Sequence, residues 1–134
     1  MVDITTADTA FIAYGKNLNE LFANCAKAMF NIMVDLNEID EKEMVEIKVN
    51  GIDLKSLLFN WLNELLFFYG SENLLLKRFE VEIDEKNFEL KAKAFGERFD
   101  EKKHRGKTEV KSCTYHKMEI KKNDVWKARV ILDI

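Results

Sequence analysis

The sequence has no proline, five glycines, two cysteines and two histidines in 134 residues. Each shortage excludes something. Cys25 and Cys113 stand far apart and belong to no CxxC spacing, so no cysteine-rich metal motif is present. One disulfide between them is formally possible, but reduced core thiols are the better reading. With only His104 and His116 available, no Ser–His–Asp assembly can be built. Walker, GxGxxG, GxSxG and HExxH motifs are absent as well. No apolar run approaches the roughly 18 residues of a membrane span. The opening "MVDITTAD" lacks the basic and apolar regions of a signal peptide. A cytoplasmic protein without its own catalytic centre is the expectation.

Positive charge is also in short supply. Lys and Arg number 21 against 24 Asp and Glu, a net charge of −3. Phosphate neutralisation supplies most nucleic-acid affinity, so strong nucleic-acid binding by this chain alone is not expected. The local exception is "KKHRGKTEVK", with Lys102, Lys103, Arg105, Lys107 and Lys111. By composition it reads as a solvated loop and strand face, and residues 98–107 as a mobile surface loop.

What is present is strong periodicity. "AFIAY" (10–14) reads as a strand, and Gly15 opens a turn into a helix over 17–34. Asn17 and Glu20 have capping-box spacing. Leu18, Leu21, Phe22, Cys25, Ala26, Met29, Phe30 and Met33 then recur on one helical face. After an acidic connector, "MVEIKV" reads as a strand. Asn50-Gly51 turns the chain and Asp53 caps a second helix over 53–69, closed by Gly70. Its apolar residues run from Leu54 to Tyr69, and Phe59, Phe67 and Phe68 widen the buried face. "FEVEI" and "FELKAKAF" alternate strictly around the turn "DEKN", a hairpin. A long strand near 107–121, a turn at "KND" and a last strand over 125–133 complete the chain. A three-residue turn would set Ile120 opposite Trp126, Lys117 opposite Arg129 and Cys113 opposite Asp133.

Removing the middle strand–helix–strand–strand block leaves a second one around it. The chain therefore predicts a single α+β domain over 1–134, built of two nested units with two helices packed on antiparallel-rich sheet. The likeness of the units is one of pattern, without a residue-level repeat.

If the outer unit forms one sheet, Asp8, Asp133 and the α-carboxylate of Ile134 could meet at its margin. Three hard oxygen donors suit Ca²⁺, Mg²⁺ or Mn²⁺ rather than zinc. Two carboxylates about 4 Å apart repel by about 4 kcal/mol at an effective dielectric near 20, and a divalent cation converts that repulsion into binding. On spacing alone, a solvated strand end is the simpler reading of Asp133.

The assembled motifs resemble the archease family. The likeness rests on "TADTAFIAYGKNLNELFANCAKAMFNIMVD", "WLNELLFFYG", "FDEKKHRGKTEVKSCTYHKMEI" and the final "WKARVILDI", in family order over nearly the whole chain. The resemblance implies a small accessory protein of tRNA processing. Such a protein activates the tRNA-splicing RNA ligase by promoting its guanylylation and repeated turnover. A chaperone-like role with a tRNA cytosine methyltransferase is the alternative. It further implies a divalent metal, Ca²⁺ first, held by Asp8, Asp133 and Ile134, which overturns the solvated reading. Lys107 and Lys111 are candidate partner or phosphate contacts. One departure is Thr5, where archeases usually carry His before "TAD".

Overall fold

Asn17 accepts the Glu20 N–H at 2.9 Å and opens helix α1 (Leu18–Met33). The Glu20 carboxylate reaches back to the Lys16 N–H at 3.1 Å, so the returning half of the capping box falls one residue early. Asp53 opens α2 (Leu54–Glu72) with a full capping box against Ser56. The computed structural model describes residues 2–3 and 10–134, and Asp8 lies outside the described residues.

Among the described residues, eight strands accompany the helices: β1 (Val2–Asp3), β2 (Ala10–Gly15), β3 (Glu43–Asn50), β4 (Leu74–Asp84), β5 (Glu89–Arg98), β6 (Ser112–Cys113), β7 (Glu119–Lys122) and β8 (Trp126–Asp133). They form two antiparallel sheets. The inner one has the order β3-β5-β4; the outer one runs β1-β2-β8, with β6 and β7 both paired to β8. In each unit the first strand pairs with the last, and the last with the middle. The nested α+β architecture read from the sequence is what the chain adopts.

The geometry also exposes a residue-level repeat that pattern alone missed. Gly15, Asn17, Leu21 and Asn24 recur 36 positions later as Gly51, Asp53, Leu57 and Asn60. The Asn24 side-chain amide donates to the Tyr14 carbonyl at 2.7 Å, and that of Asn60 to the Asn50 carbonyl at 2.7 Å. A Cβ on Gly15 would lie 2.4 Å from the Leu21 nitrogen, and one on Gly51 2.7 Å from the Leu57 nitrogen. Glycine lets both strands turn tightly onto the helix start.

Each helix touches strands of both sheets, which explains why apolar residues surround so much of α1. Phe79 of β4 stacks on Phe30 and receives the edge of Trp61, both at 6.0 Å between centroids. The buried Trp61 indole donates to the Phe22 carbonyl at 3.0 Å, so the two helices are joined by a polar bond inside an apolar core.

Four sequence expectations need correction. Helix α2 runs through Gly70 and ends at Asn73, whose left-handed φ of 56° asparagine tolerates well. Phe67 is 63% exposed, so it does not widen the buried face. Phe88 sits in the hairpin turn with φ 52° rather than on the strand. The long strand near 107–121 is broken into β6 and β7. Cys113 pairs with Leu132 and Glu119 with Arg129, so six steps along this segment span three on β8. The surplus forms a loop over 114–118, with Lys117 at φ 54°. The expected Lys117–Arg129 opposition is thereby replaced by a favourable Glu119–Arg129 pair at 3.0 Å.

Candidate functional site

Strand β8 alternates strictly. Ala128, Val130 and Leu132 are buried, and this parity leaves Asp133 on the solvent side at the strand's end. Its backbone is held: the Asp133 carbonyl accepts the Lys111 N–H at 2.7 Å, and Ser112 is its ladder partner. Its carboxylate makes no hydrogen bond or ion pair among the described residues. Ile134 follows, 44% exposed. An open carboxylate on a fixed backbone, next to further main-chain oxygen, is a donor set that fits a hard divalent cation. Among the described residues no three His, Cys, Asp or Glu side chains converge as a metal cluster.

Lys111 is thus brought to Asp133 through its backbone. Lys107 stands at the other end of the same segment, where its N–H donates to the Met33 carbonyl at the end of α1 (2.9 Å). Both lysines are exposed and neither enters an ion pair among the described residues.

The segment leading to them is anchored, contrary to the mobile loop expected over 98–107. Its lock is a buried carboxylate. Glu97, 5% exposed, accepts the Asp40 N–H at 2.8 Å and His104 Nε2 at 2.9 Å, and pairs with Lys103 Nζ at 2.7 Å. His104 is 3% exposed, and its Nδ1 accepts the Asp100 N–H at 2.9 Å. The remaining ring proton therefore sits on Nε2, facing Glu97. Burial alone would raise the Glu97 pKa, but hydrogen bonds from Lys103, Asp40 and His104 outweigh it and hold the group down at about 2. Hydrogen bonding to Asp40 and then Glu97 raises the Lys103 pKa in turn. Further along, the Arg105 N–H donates to Glu38 at 2.9 Å, and Gly106 bridges to Val34. His104 falls within the 98–107 stretch whose composition reads as a surface loop. Residues 40, 97 and 104 lie too far apart in the chain for any local pattern to have joined them.

Loop 114–118 is placed by α2. The Asn63 side chain accepts the Cys113 N–H at 2.8 Å and donates to the Cys113 carbonyl at 3.2 Å, standing in for a strand. Tyr115 packs on Phe59 with centroids 5.1 Å apart. Cys25 and Cys113 are free and buried. Burial, and secondarily Cys113, pushes the Cys25 thiol up, and burial pushes Cys113 up to about 12, which disfavours the thiolate at both.

Two nested strand–helix–strand–strand units, with an open carboxylate at the margin of the outer sheet, make up a single α+β domain. Comparison with known proteins gives this class a family. The model of the Archease protein family matches residues 2–134. A protein archease of Sulfurisphaera tokodaii is 47% identical over 130 residues, covering 96% of this chain and 94% of that one. One from Pyrococcus abyssi is 45% identical over 133 residues, with the same coverage. The solution structure of Methanobacterium thermoautotrophicum protein 1598 superposes with a TM-score of 0.82 at 41% identity, covering 97% of this chain and 95% of that one. The chain belongs to the archease family. Among the described residues no helix is long and apolar enough to cross a membrane.

Proposed function

We propose that this chain is a non-catalytic, metal-binding activator of the tRNA-splicing RNA ligase, acting in the cytoplasm to promote the ligase's guanylylation and its multiple turnover. Family membership supports the accessory role. The observation that carries the site is the β2–β8 register, which pairs Ala10 with Ile131. Asp8 lies two residues before Ala10, and covalent connection keeps their Cα atoms within about 8 Å. The Asp8 and Asp133 carboxylates, with main-chain oxygen of Ile134, would hold the ion, Ca²⁺ first and Mg²⁺ or Mn²⁺ otherwise. Such an ion supplies a fixed positive charge for a phosphate or carboxylate of the partner. The exposed side chains of Lys107 and Lys111 add point charges suited to guanylate or RNA phosphate.

Calorimetry with Ca²⁺ and Mn²⁺ on the wild type, Asp8→Ala and Asp133→Ala tests the site. Loss of binding in both variants, with the melting temperature kept, is expected. A parallel assay counts ligation turnovers by the cognate ligase with GTP and metal. Multiple turnovers only with this protein present support the activator. No effect on ligation, with altered assembly of a tRNA cytosine methyltransferase, would move the reading to the chaperone.

A further inference from the structure

The two units share a topology but differ at one edge. In the outer unit the far side of β2 is covered by β1, with Asp3 paired to Ile12 and Val2 to Ala13. At the 36-residue offset, Ile12 and Ala13 correspond to Lys48 and Val49 of β3. Strand β3 is an edge of the inner sheet, and among the described residues no strand lies on its outer side.

Hydrogen-bond parity tells which groups that edge presents. The Gly51 N–H donates to the Phe88 carbonyl at 2.9 Å, continuing the register in which Asn50 pairs with Glu89. Alternation then turns the N–H and C=O of Asn50, Lys48, Glu46 and Met44 away from β5. The Asn50 carbonyl bears this out, because it is the one bonded by Asn60. Lys48, Glu46 and Met44 are left displaying main-chain donors and acceptors at strand spacing.

The side chains say what would fit. Lys48 is directly opposite Lys91, with Glu82 beyond it; Glu46 is opposite Lys93, with Glu80 beyond. The second row alternates in sign, whereas the first places two lysines side by side, which is unfavourable. An acid on the open side of Lys48 relieves that row, and a base beside Glu46 extends the other. On the α2 side, Val49 and the exposed Phe67 are the apolar part of an open groove of about 420 Å³ that Asn60, Asn63 and Glu64 also line. An apolar side chain set opposite Val49 would rest on those two residues.

We propose that the β3 edge binds an extended segment of a partner protein as an added antiparallel strand, with an apolar residue opposite Val49, an acid opposite Lys48 and a base opposite Glu46. The protein carries its own precedent in β1, which adds an antiparallel strand to the equivalent edge of β2. That segment is engaged on its own β2, so a different protein is the occupant here. The proposal is independent of the metal reading, since β3 belongs to the other sheet.

The test is a titration of ¹⁵N-labelled protein with a short synthetic peptide containing valine–glutamate–valine–lysine. Amide shifts should concentrate at Met44, Glu46 and Lys48 and spare Val45, Ile47 and Val49, whose N–H groups already face β5. Exchanging the acid and base in the peptide should weaken binding about fivefold or more. Lys48→Pro should abolish binding while the melting temperature holds, because proline is tolerated where an edge N–H faces solvent. Absence of shifts up to millimolar peptide, or shifts without the alternating pattern, overturns the proposal. So does finding that these same amides move with protein concentration alone, which would make the occupant a second copy.

Discussion

The outer and inner units follow one plan and end differently. Pairing Ile12 with Arg129 and Lys48 with Lys91 makes Asp133 the counterpart of Phe95. Phe95 lies under the Arg78 guanidinium, 3.8 Å from its centroid, and Arg78 is tied to Glu41 and Glu80. The inner end is closed by a cation–π stack and ion pairs; the outer end leaves a carboxylate open. Equally, α1 presents the small Cys25 where α2 presents Trp61, and among the described residues β2 has a covering strand where β3 has none. The common frame sets the register. The side chains set on that frame are where the copies diverge.

The largest effect that could break this comparison is in the core. Trp61→Ala should cost about 3–5 kcal/mol, whereas its counterpart change Cys25→Ala should cost about 1 kcal/mol. Equal losses on urea denaturation would show that the helices do not divide the core as described. Next come the matching turns. Gly15→Ala and Gly51→Ala should each destabilise by about 1–3 kcal/mol, since each new Cβ meets the backbone at the helix start. Gly15→Ala should lose more, because its new Cβ would lie 2.4 Å from the Leu21 main-chain nitrogen against 2.7 Å between that of Gly51 and the Leu57 nitrogen. A neutral result at either glycine would undo the residue-level repeat there.

A smaller, pH-dependent effect sharpens the contrast at the anchored segment. The Glu97 pKa is depressed from 4.5 to about 2 on folding. The unfolded chain therefore takes up the proton first as pH falls, so this stabilisation is complete above 4.5 and lost on the way down through about 2. Glu97→Gln should lower stability at neutral pH by about 1–3 kcal/mol, and the gap from wild type should shrink over that window. A constant gap would mean that the ionised carboxylate contributes nothing. Amide exchange at Arg105 and Lys107 should quicken in the variant, because the carboxylate fixes the start of their segment.

Much of this was legible in the sequence because periodicity reports burial. Both helices, the β4–β5 hairpin and the nested order follow from stripes and alternation that the core enforces. Most of the failures share one cause, which is that tertiary partners override local pattern. "KSCTYH" could not declare itself a three-residue excursion, since what stabilises it are Asn63 and Phe59 of α2. Gly70 looked like a helix stop until Asn73 supplied the left-handed cap. Glu97 and His104 find each other only after folding. Of the candidate site, the Asp133–Lys111 proximity follows from strand pairing, while the assignment of Asp8 and Ile134 rested on family resemblance.

One paired assay tests most directly the proposal that function lies at the open end of the outer unit. Ligation turnovers by the cognate ligase would be counted with wild-type protein, Asp133→Ala and Arg78→Ala, the last changing the register partner of Phe95 at the closed inner end. Asp133→Ala should abolish multiple turnover with its melting temperature intact, while Arg78→Ala should activate as the wild type does. Full activation by Asp133→Ala, or equal loss in both variants, would contradict the account.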